Sequence, residues 1–256
     1  MREILVIGAG AGDPEQVTMQ AVSALNRADV FFVLDKGEVK QELVDLRSEI
    51  LRRYATCKQY RVVVGRDPER DRTTSEYVEA VDDWRRRRAD VCAAMIADEL
   101  GEDEVGAFLV WGDPSLYDST LAILDDILAR GELTFAVEVI PGISSVSTLA
   151  ARHRVGLNQV GKPIQITTGR RLAQQWPDGV DDVVVMLDAH TAFTEHLGTD
   201  ADIYWGAYLG TPDELLVSGP LHEVAAEIEK VRAEARDRKG WIMDTYLLRR
   251  TSRPKS

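Results

Sequence analysis

Over the first 150 residues, apolar positions fall into two alternating patterns. Short, mainly apolar runs occur at 4–7, 30–34, 60–64, 105–110 and 135–140, broken only by Arg61 and Glu138. Runs of that length read as strands buried on both faces, the habit of a parallel sheet. Between them, apolar residues recur at helical spacing. Val17, Ala21, Ala24 and Leu25 form one set, and Leu43, Leu46, Ile50, Leu51 and Tyr54 a second. A long helix is predicted over 74–100, facing inward with Tyr77, Val81, Trp84, Val91, Met95 and Ile96. Residues 119–128 supply one more. Strand and helix in alternation predict an α/β domain with a parallel sheet.

The pattern breaks over 152–162, where Gly156 and Gly161 punctuate the chain, and a boundary is expected there: 1–155 for the first domain, 156–256 for the second. The second part is built differently. Strands are predicted at 164–167, 183–187, 203–209 and 241–248, with a short strand and turn over 215–220 and a helix over 221–236. Strands with few helices between them imply a mixed sheet. The basic tail from Arg249 is expected to fray.

Three strand–turn–helix junctions carry the candidate chemistry, because ligands of open α/β sheets sit at the carboxyl ends of strands. The first is Gly8-Ala9-Gly10-Ala11-Gly12-Asp13-Pro14-Glu15, with Asp13 as N-cap and Pro14 at the first helical position. A dinucleotide fingerprint needs a third glycine where Asp13 stands, and an aspartate there would repel a pyrophosphate, which disfavours a nicotinamide dehydrogenase. The second junction is Trp111-Gly112-Asp113-Pro114-Ser115-Leu116-Tyr117. The third is Pro141-Gly142-Ile143-Ser144-Ser145, whose hydroxyls and helix-opening amides suit a carboxylate or a ribose.

Charge narrows the partners. A formal net charge of −12 over 256 residues argues against non-specific binding to nucleic acid or anionic membranes. Cys57 and Cys92 form no CxxC, the start is too soon interrupted for a signal peptide, and no run approaches a membrane span of about 20 residues. A cytoplasmic location is the expectation. Arg85 to Arg88 read as a solvated helix face paired with Asp82, Asp83 and Asp90. Arg66, Arg70 and Arg72, on a loop after a strand, are better placed to fork onto carboxylates. The four histidines show no ligand spacing, so no metal site is expected.

The three junctions, in this order and at these separations, together resemble the signatures of the tetrapyrrole (corrin/porphyrin) methylases. That resemblance implies two α/β domains, an N-terminal parallel sheet and a C-terminal mixed sheet, with S-adenosylmethionine in the cleft between them and a homodimer as the assembly. Gly10, Ala11, Trp111, Gly112, Asp113, Leu116, Ser144, Ser145, Met186, Leu209 and Gly210 are then the cofactor-binding candidates. Arg66, Arg70 and Arg72 become candidates for the acidic substrate. Two departures stand out: the family usually has proline at Ala11, and glycine or serine at Asp118. Within the family, residues 29–37 and the long 66–100 segment resemble the branch of aerobic cobalamin synthesis that methylates C1 of precorrin-5 and releases acetate. Acetate release calls for an activated water, with Asp113 as the first candidate for a base, ahead of Asp188, His190 and Asp35. The alternatives are another methyltransferase of the family and a tetrapyrrole-binding protein without activity.

Overall fold

The computed structural model describes residues 1–35, 41–68 and 77–251, without the side chains of 41–43 and 77–81. The chain divides into two compact units, Met1–Ser144 and Ser145–Ser256. The helix opening at Ser145 therefore goes with the second unit, although the sequence pattern grouped it with the first.

Unit 1 contains strands β1 (Glu3–Gly8), β2 (Val30–Asp35), β3 (Arg61–Arg66), β4 (Val105–Val110) and β5 (Ala136–Ile140), and helices α1 (Met19–Leu25), α2 (Gln41–Tyr54), α3 (Tyr77–Glu99) and α4 (Thr120–Ala129). The sheet order is β3-β2-β4-β1-β5, and its pairs are parallel. Alternate residues of each strand serve opposite layers, as the strand period of two requires. Ile4, Val6, Phe32, Phe108 and Val110 pack with Ile96, Ile123 and Ile127 of α3 and α4. Leu5, Ile7, Phe31, Ala107 and Ile140 pack with Leu25, Ile50 and Leu51 of α1 and α2. The inner strands β1, β2 and β4 are mostly apolar because they feed both layers, whereas the edge strands β3 and β5 leave Val62, Val64, Val137 and Val139 exposed.

One local expectation is corrected. Asp13 and Pro14 open only a 3-10 turn, Pro14–Gln16, in which the Asp13 carboxylate accepts from the Glu15 amide at 2.9 Å. Val17 is extended, and α1 starts afresh two residues on. Its own cap is Thr18, whose hydroxyl accepts from the Ala21 amide at 3.0 Å. A second good cap so soon after the first splits the predicted helix.

Unit 2 contains α5 (Ser145–His153), β6 (Ile164–Thr168), α6 (Gly169–Gln174), β7 (Asp182–Met186), β8 (Ala201–Ala207), β9 (Leu215–Pro220), α7 (Leu221–Lys239) and β10 (Asp244–Arg250). The order is β6-β7-β10-β8-β9; β6 and β7 are parallel, and the other pairs are antiparallel. Helix α6 had no periodic signal because it is one short turn and a half with Leu172 as its buried apolar side chain. The turn expected at Gly219-Pro220 is instead the end of β9. An edge strand tolerates proline, which removes one donor that nothing there needs. Arg249 does not fray: its Nε donates to buried Asp182 at 2.5 Å and its Nη2 to Gly156 O at 2.7 Å.

The core of unit 2 holds a closed polar network. Arg232 Nε pairs with Asp244 Oδ2 at 2.8 Å, and Trp205 Nε1 donates to the same oxygen at 3.0 Å. Arg232 Nη2 also reaches Asp188 O at 2.6 Å. Tyr246 OH donates to Asp188 Oδ2 at 2.6 Å, and Asp188 further accepts the amides of His190 and Ala192 at 2.9 and 2.7 Å. Burial pushes the Asp244 carboxyl above its ordinary range against the pull of Arg232.

Candidate active site

In unit 1 the three glycine turns meet backbone to backbone. Gly10 and Gly112 form an isolated antiparallel bridge, with Gly112 N donating to Gly10 O at 2.8 Å. Both glycines have left-handed φ, +85° and +70°. A Cβ on Gly142 would lie 2.2 Å from Gly112 O, and one on Gly8 would lie 2.5 Å from Gly142 N. Side chains at Gly8 or Gly142 would therefore hold the turns apart.

Asp113 locks this junction. Its Oδ2 accepts the Gly142 amide at 2.8 Å, and its Oδ1 accepts the Ser115 amide at 2.9 Å together with the Ser115 hydroxyl. Burial alone would raise its pKa. The bonds from the Ser115 hydroxyl, the Gly142 amide and the Ser115 amide outweigh it and hold the carboxyl below its usual range. A carboxylate with both oxygens occupied and a lowered pKa is a poor base and a good clamp. Asp188 is consumed in the same way by the network in unit 2. His190 and Asp35 are exposed.

The departures from the family pattern have local explanations. Ala11 is buried and its amide donates to Gln16 Oε1 at 2.9 Å, a bond a proline could not make. Asp118 Oδ1 accepts the Thr120 amide at 2.6 Å and so caps α4. Ser119, the formal N-cap, makes no capping bond; its hydroxyl instead accepts from Arg88 Nη1 at 2.8 Å. Leu116 is half-buried beside Asp113. Trp111 Nε1 is buried with no hydrogen-bond partner among the described residues, a donor that a ligand oxygen can satisfy.

In unit 2 the remaining cofactor candidates gather at one end of the sheet. Strands β7 and β8 both run antiparallel to β10, so their carboxyl ends lie together. Met186 ends β7 and faces Thr245, whose hydroxyl is 3.3 Å from that of Ser145. Leu209 and Gly210 follow β8; Leu209 is buried and Gly210 has φ +79°. The Gly210 amide is already taken by Glu214 at 2.7 Å.

The arginines are placed differently from expectation. Arg66 ends edge strand β3 and is exposed; Arg70 and Arg72 lie outside the described residues. Arg85, Arg86 and Arg87 are solvated, with Arg86 and Arg87 paired to Asp83 at 3.7 and 2.9 Å, while Asp90 pairs with Arg130. Arg88 departs from that face. It is buried, and its Nε lies 2.8 Å from Asp67 Oδ1, an ion pair too misaligned to count as a hydrogen bond for either atom. Its guanidinium also sits 4.6 Å from the Trp84 ring. Arg47, on α2, is half-buried beside it. The sequence did hold a signal for both: Arg47 lies four residues from Leu43 and from Leu51, and Arg88 four from Trp84 and from Cys92, so each interrupts an apolar stripe. Two open clefts among the described residues, about 530 and 540 Å³, lie at Arg85–Asp126 and around α6, and none of the expected site residues lines them.

Residues 3–225 match the family model for Tetrapyrrole (Corrin/Porphyrin) Methylases. The chain belongs to that family. Over 250 residues it is 51% identical to a precorrin-6A synthase [deacetylating] from Sinorhizobium sp, covering 98% of this chain and 96% of the relative. A crystal structure of a cobalamin-synthesis-related protein (CobF) from Corynebacterium diphtheriae superposes with a TM-score of 0.83 at 40% identity, covering 97% of this chain and 98% of the other. A uroporphyrin-III C-methyltransferase from Thermus thermophilus, complexed with S-adenosylhomocysteine, shares the fold at a TM-score of 0.57 and 18% identity, covering 96% and 91%. Among the described residues no helix is long and apolar enough to cross a membrane.

Proposed function

We propose that this chain is a precorrin-6A synthase of the deacetylating kind: it methylates C1 of precorrin-5, and with water the two-carbon unit leaves as acetate. The observation that carries this reading is the 51% identity over nearly the whole of both chains, joined to a junction of three glycine turns that keeps every family signature in one place. S-adenosylmethionine, when bound, supplies an electrophilic methyl group. The chain's own task is to orient and to exclude water.

Gly10, Ala11, Trp111, Gly112 and Leu116 of unit 1, with Ser144, are proposed to hold the cofactor. Ser145, Met186, Leu209 and the Gly210 carbonyl are proposed for the same role from unit 2. The fit rests on the orphaned Trp111 Nε1, on backbone left bare by glycine, and on apolar Met186 and Leu209. Asp113 is assigned to positioning, because its oxygens clamp Gly142 and Ser115. Arg66 remains in the proposal as an exposed contact for substrate acids, with Arg70 and Arg72 beyond the described residues. A homodimer and a cytoplasmic location complete the reading; sedimentation equilibrium at micromolar concentration tests the first.

Incubation with [13C-methyl]S-adenosylmethionine and precorrin-5, followed by carbon NMR of the pigment, tests the assignment. The label should appear as a methyl on C1. Label at another ring position would make the chain a different methyltransferase of the family, and tight pigment binding without label transfer would make it a carrier.

A further inference from the structure

Strands β2 and β4 of unit 1 end on a small cavity. Its volume is about 180 Å³, and Arg47, Trp84, Arg88, Tyr117, Asp118 and Thr120 are among its walls. A water takes roughly 30 Å³ of liquid, so the space suits a few waters or one short acid side chain. Sites that enclose a whole small molecule begin near about 300 Å³. The cavity is therefore the size of a substituent.

The two cations in its wall differ. Arg88 is held on three sides, by Asp67 at 2.8 Å, by Ser119 Oγ at 2.8 Å and by the Trp84 ring, which is itself fixed through Nε1 to Pro68 O at 2.9 Å. Arg47 has no hydrogen-bond or ion-pair partner among the described residues. Asp118 attracts it and Arg88 repels it, and Asp118 is engaged at the start of α4. Burial pushes the Arg47 pKa down, the direction expected where desolvation outweighs compensation. A guanidinium does not shed its proton in a protein. It stays charged, with no protein partner among the described residues, next to a like charge.

We propose that this cavity is a carboxylate subsite, in which the Arg47 fork binds one acid side chain of the tetrapyrrole and Arg88 positions it. The proposal rests on the tetrapyrrole reading given above. In a chain of net charge −12, a polyacidic ligand needs local cations to bind at all, and an unpaired arginine fork gives two parallel bonds to a carboxylate. A guest carboxylate would also relieve the Arg47–Arg88 repulsion. An acetate or propionate arm fits the volume; the macrocycle would stay outside it.

The test uses the full chain and the variants Arg47→Gln, Arg47→Lys and Arg85→Gln. Arg85 is an exposed arginine on α3 and controls for bulk charge. Three quantities are read: the Kd of S-adenosylmethionine by calorimetry, the affinity for uroporphyrin I and for its octamethyl ester by fluorescence quenching, and KM and kcat with precorrin-5. Arg47→Gln should weaken uroporphyrin binding and raise KM at least tenfold, with kcat, cofactor Kd and Tm little changed. Arg47→Lys should recover part of the loss, and Arg85→Gln should resemble the parent. The ester should bind parent and Arg47→Gln alike. Weakened cofactor binding would place the cofactor's own carboxylate on Arg47 and overturn the proposal. Unchanged uroporphyrin affinity, or a lowered Tm with unchanged KM, would overturn it too. Should the parent bind uroporphyrin but fail to convert precorrin-5, the assigned reaction falls, and the porphyrin measurements alone still decide the subsite.

Discussion

Gly142→Ala probes the junction of the three turns most sharply. The new Cβ would lie 2.2 Å from Gly112 O and 2.7 Å from Gly8 Cα. Ordinary contact begins at 3.4 Å, so a turn must retreat by about 1.2 Å, the difference between 3.4 and 2.2. Both obstacles are backbone, and no rotamer change relieves them. Overpacking of this kind costs roughly 1–3 kcal/mol. The same retreat strains the 2.8 Å bond from the Gly142 amide to Asp113, and a hydrogen bond to a charged acceptor is worth about 1.5–3 kcal/mol. The sum is about 2.5–6 kcal/mol. At about 2–4 °C per kcal/mol for a chain of this size, the melting temperature should fall by at least roughly 5 °C. Cofactor affinity should fall by at least about tenfold, since tenfold needs only about 1.4 kcal/mol. Gly131→Ala is the control: φ is +73° there, with nothing within 4 Å of the added Cβ, so it carries backbone strain of about 1–2 kcal/mol and no clash. Calorimetric titration with S-adenosylmethionine and thermal unfolding of both variants decide the matter. Gly142→Ala binding the cofactor within twofold of the parent, and melting no lower than Gly131→Ala, would refute the packing argument.

Other consequences follow from the same geometry. Asp113→Asn should loosen the clamp and weaken cofactor binding. Because the folded pKa of Asp113 lies below its ordinary value, its stabilisation is present above about pH 4 and is lost as pH falls through the folded pKa. Urea unfolding at pH 6 and pH 3 should therefore show a steeper acid loss in the parent than in Asp113→Asn. Asp244→Asn should destabilise unit 2 by about 3–5 kcal/mol, since it leaves Arg232 buried and uncompensated; a shift under about 1 kcal/mol by denaturant titration would contradict this. The Cys92 thiol is buried and pushed up to about 11, whereas Cys57 is exposed. A disulfide reagent at pH 8 should therefore titrate Cys57 quickly and reach Cys92 only after denaturation.

Much of the fold could be read in advance, because the inner strands of unit 1 are apolar on both faces and its helices carry apolar stripes. The turns were also legible: Gly8 and Gly142 sit where a side chain would collide with backbone, Gly112 has a left-handed φ, and glycines so placed mark close approach. What escaped was set by tertiary context. The split between Pro14–Gln16 and α1 depends on Thr18 winning as a cap. Helix α6 is too short to show a period. A run of four arginines groups Arg88 with its exposed neighbours and hides that it turns inward. Its place in the stripe of Trp84, Cys92 and Met95 was the better guide. The role of Asp113 needed coordinates, since only the position of the Gly142 amide shows both its oxygens to be committed.

Stoichiometry decides whether the methylation releases acetate. The chain is incubated with S-adenosylmethionine and precorrin-5, the pigment is weighed by mass spectrometry, and S-adenosylhomocysteine and acetate are measured in the same sample. One acetate and one S-adenosylhomocysteine are expected for each pigment converted, with the pigment gaining a methyl and losing an acetyl unit. Methyl gain without acetate, or no conversion despite cofactor binding, would contradict it.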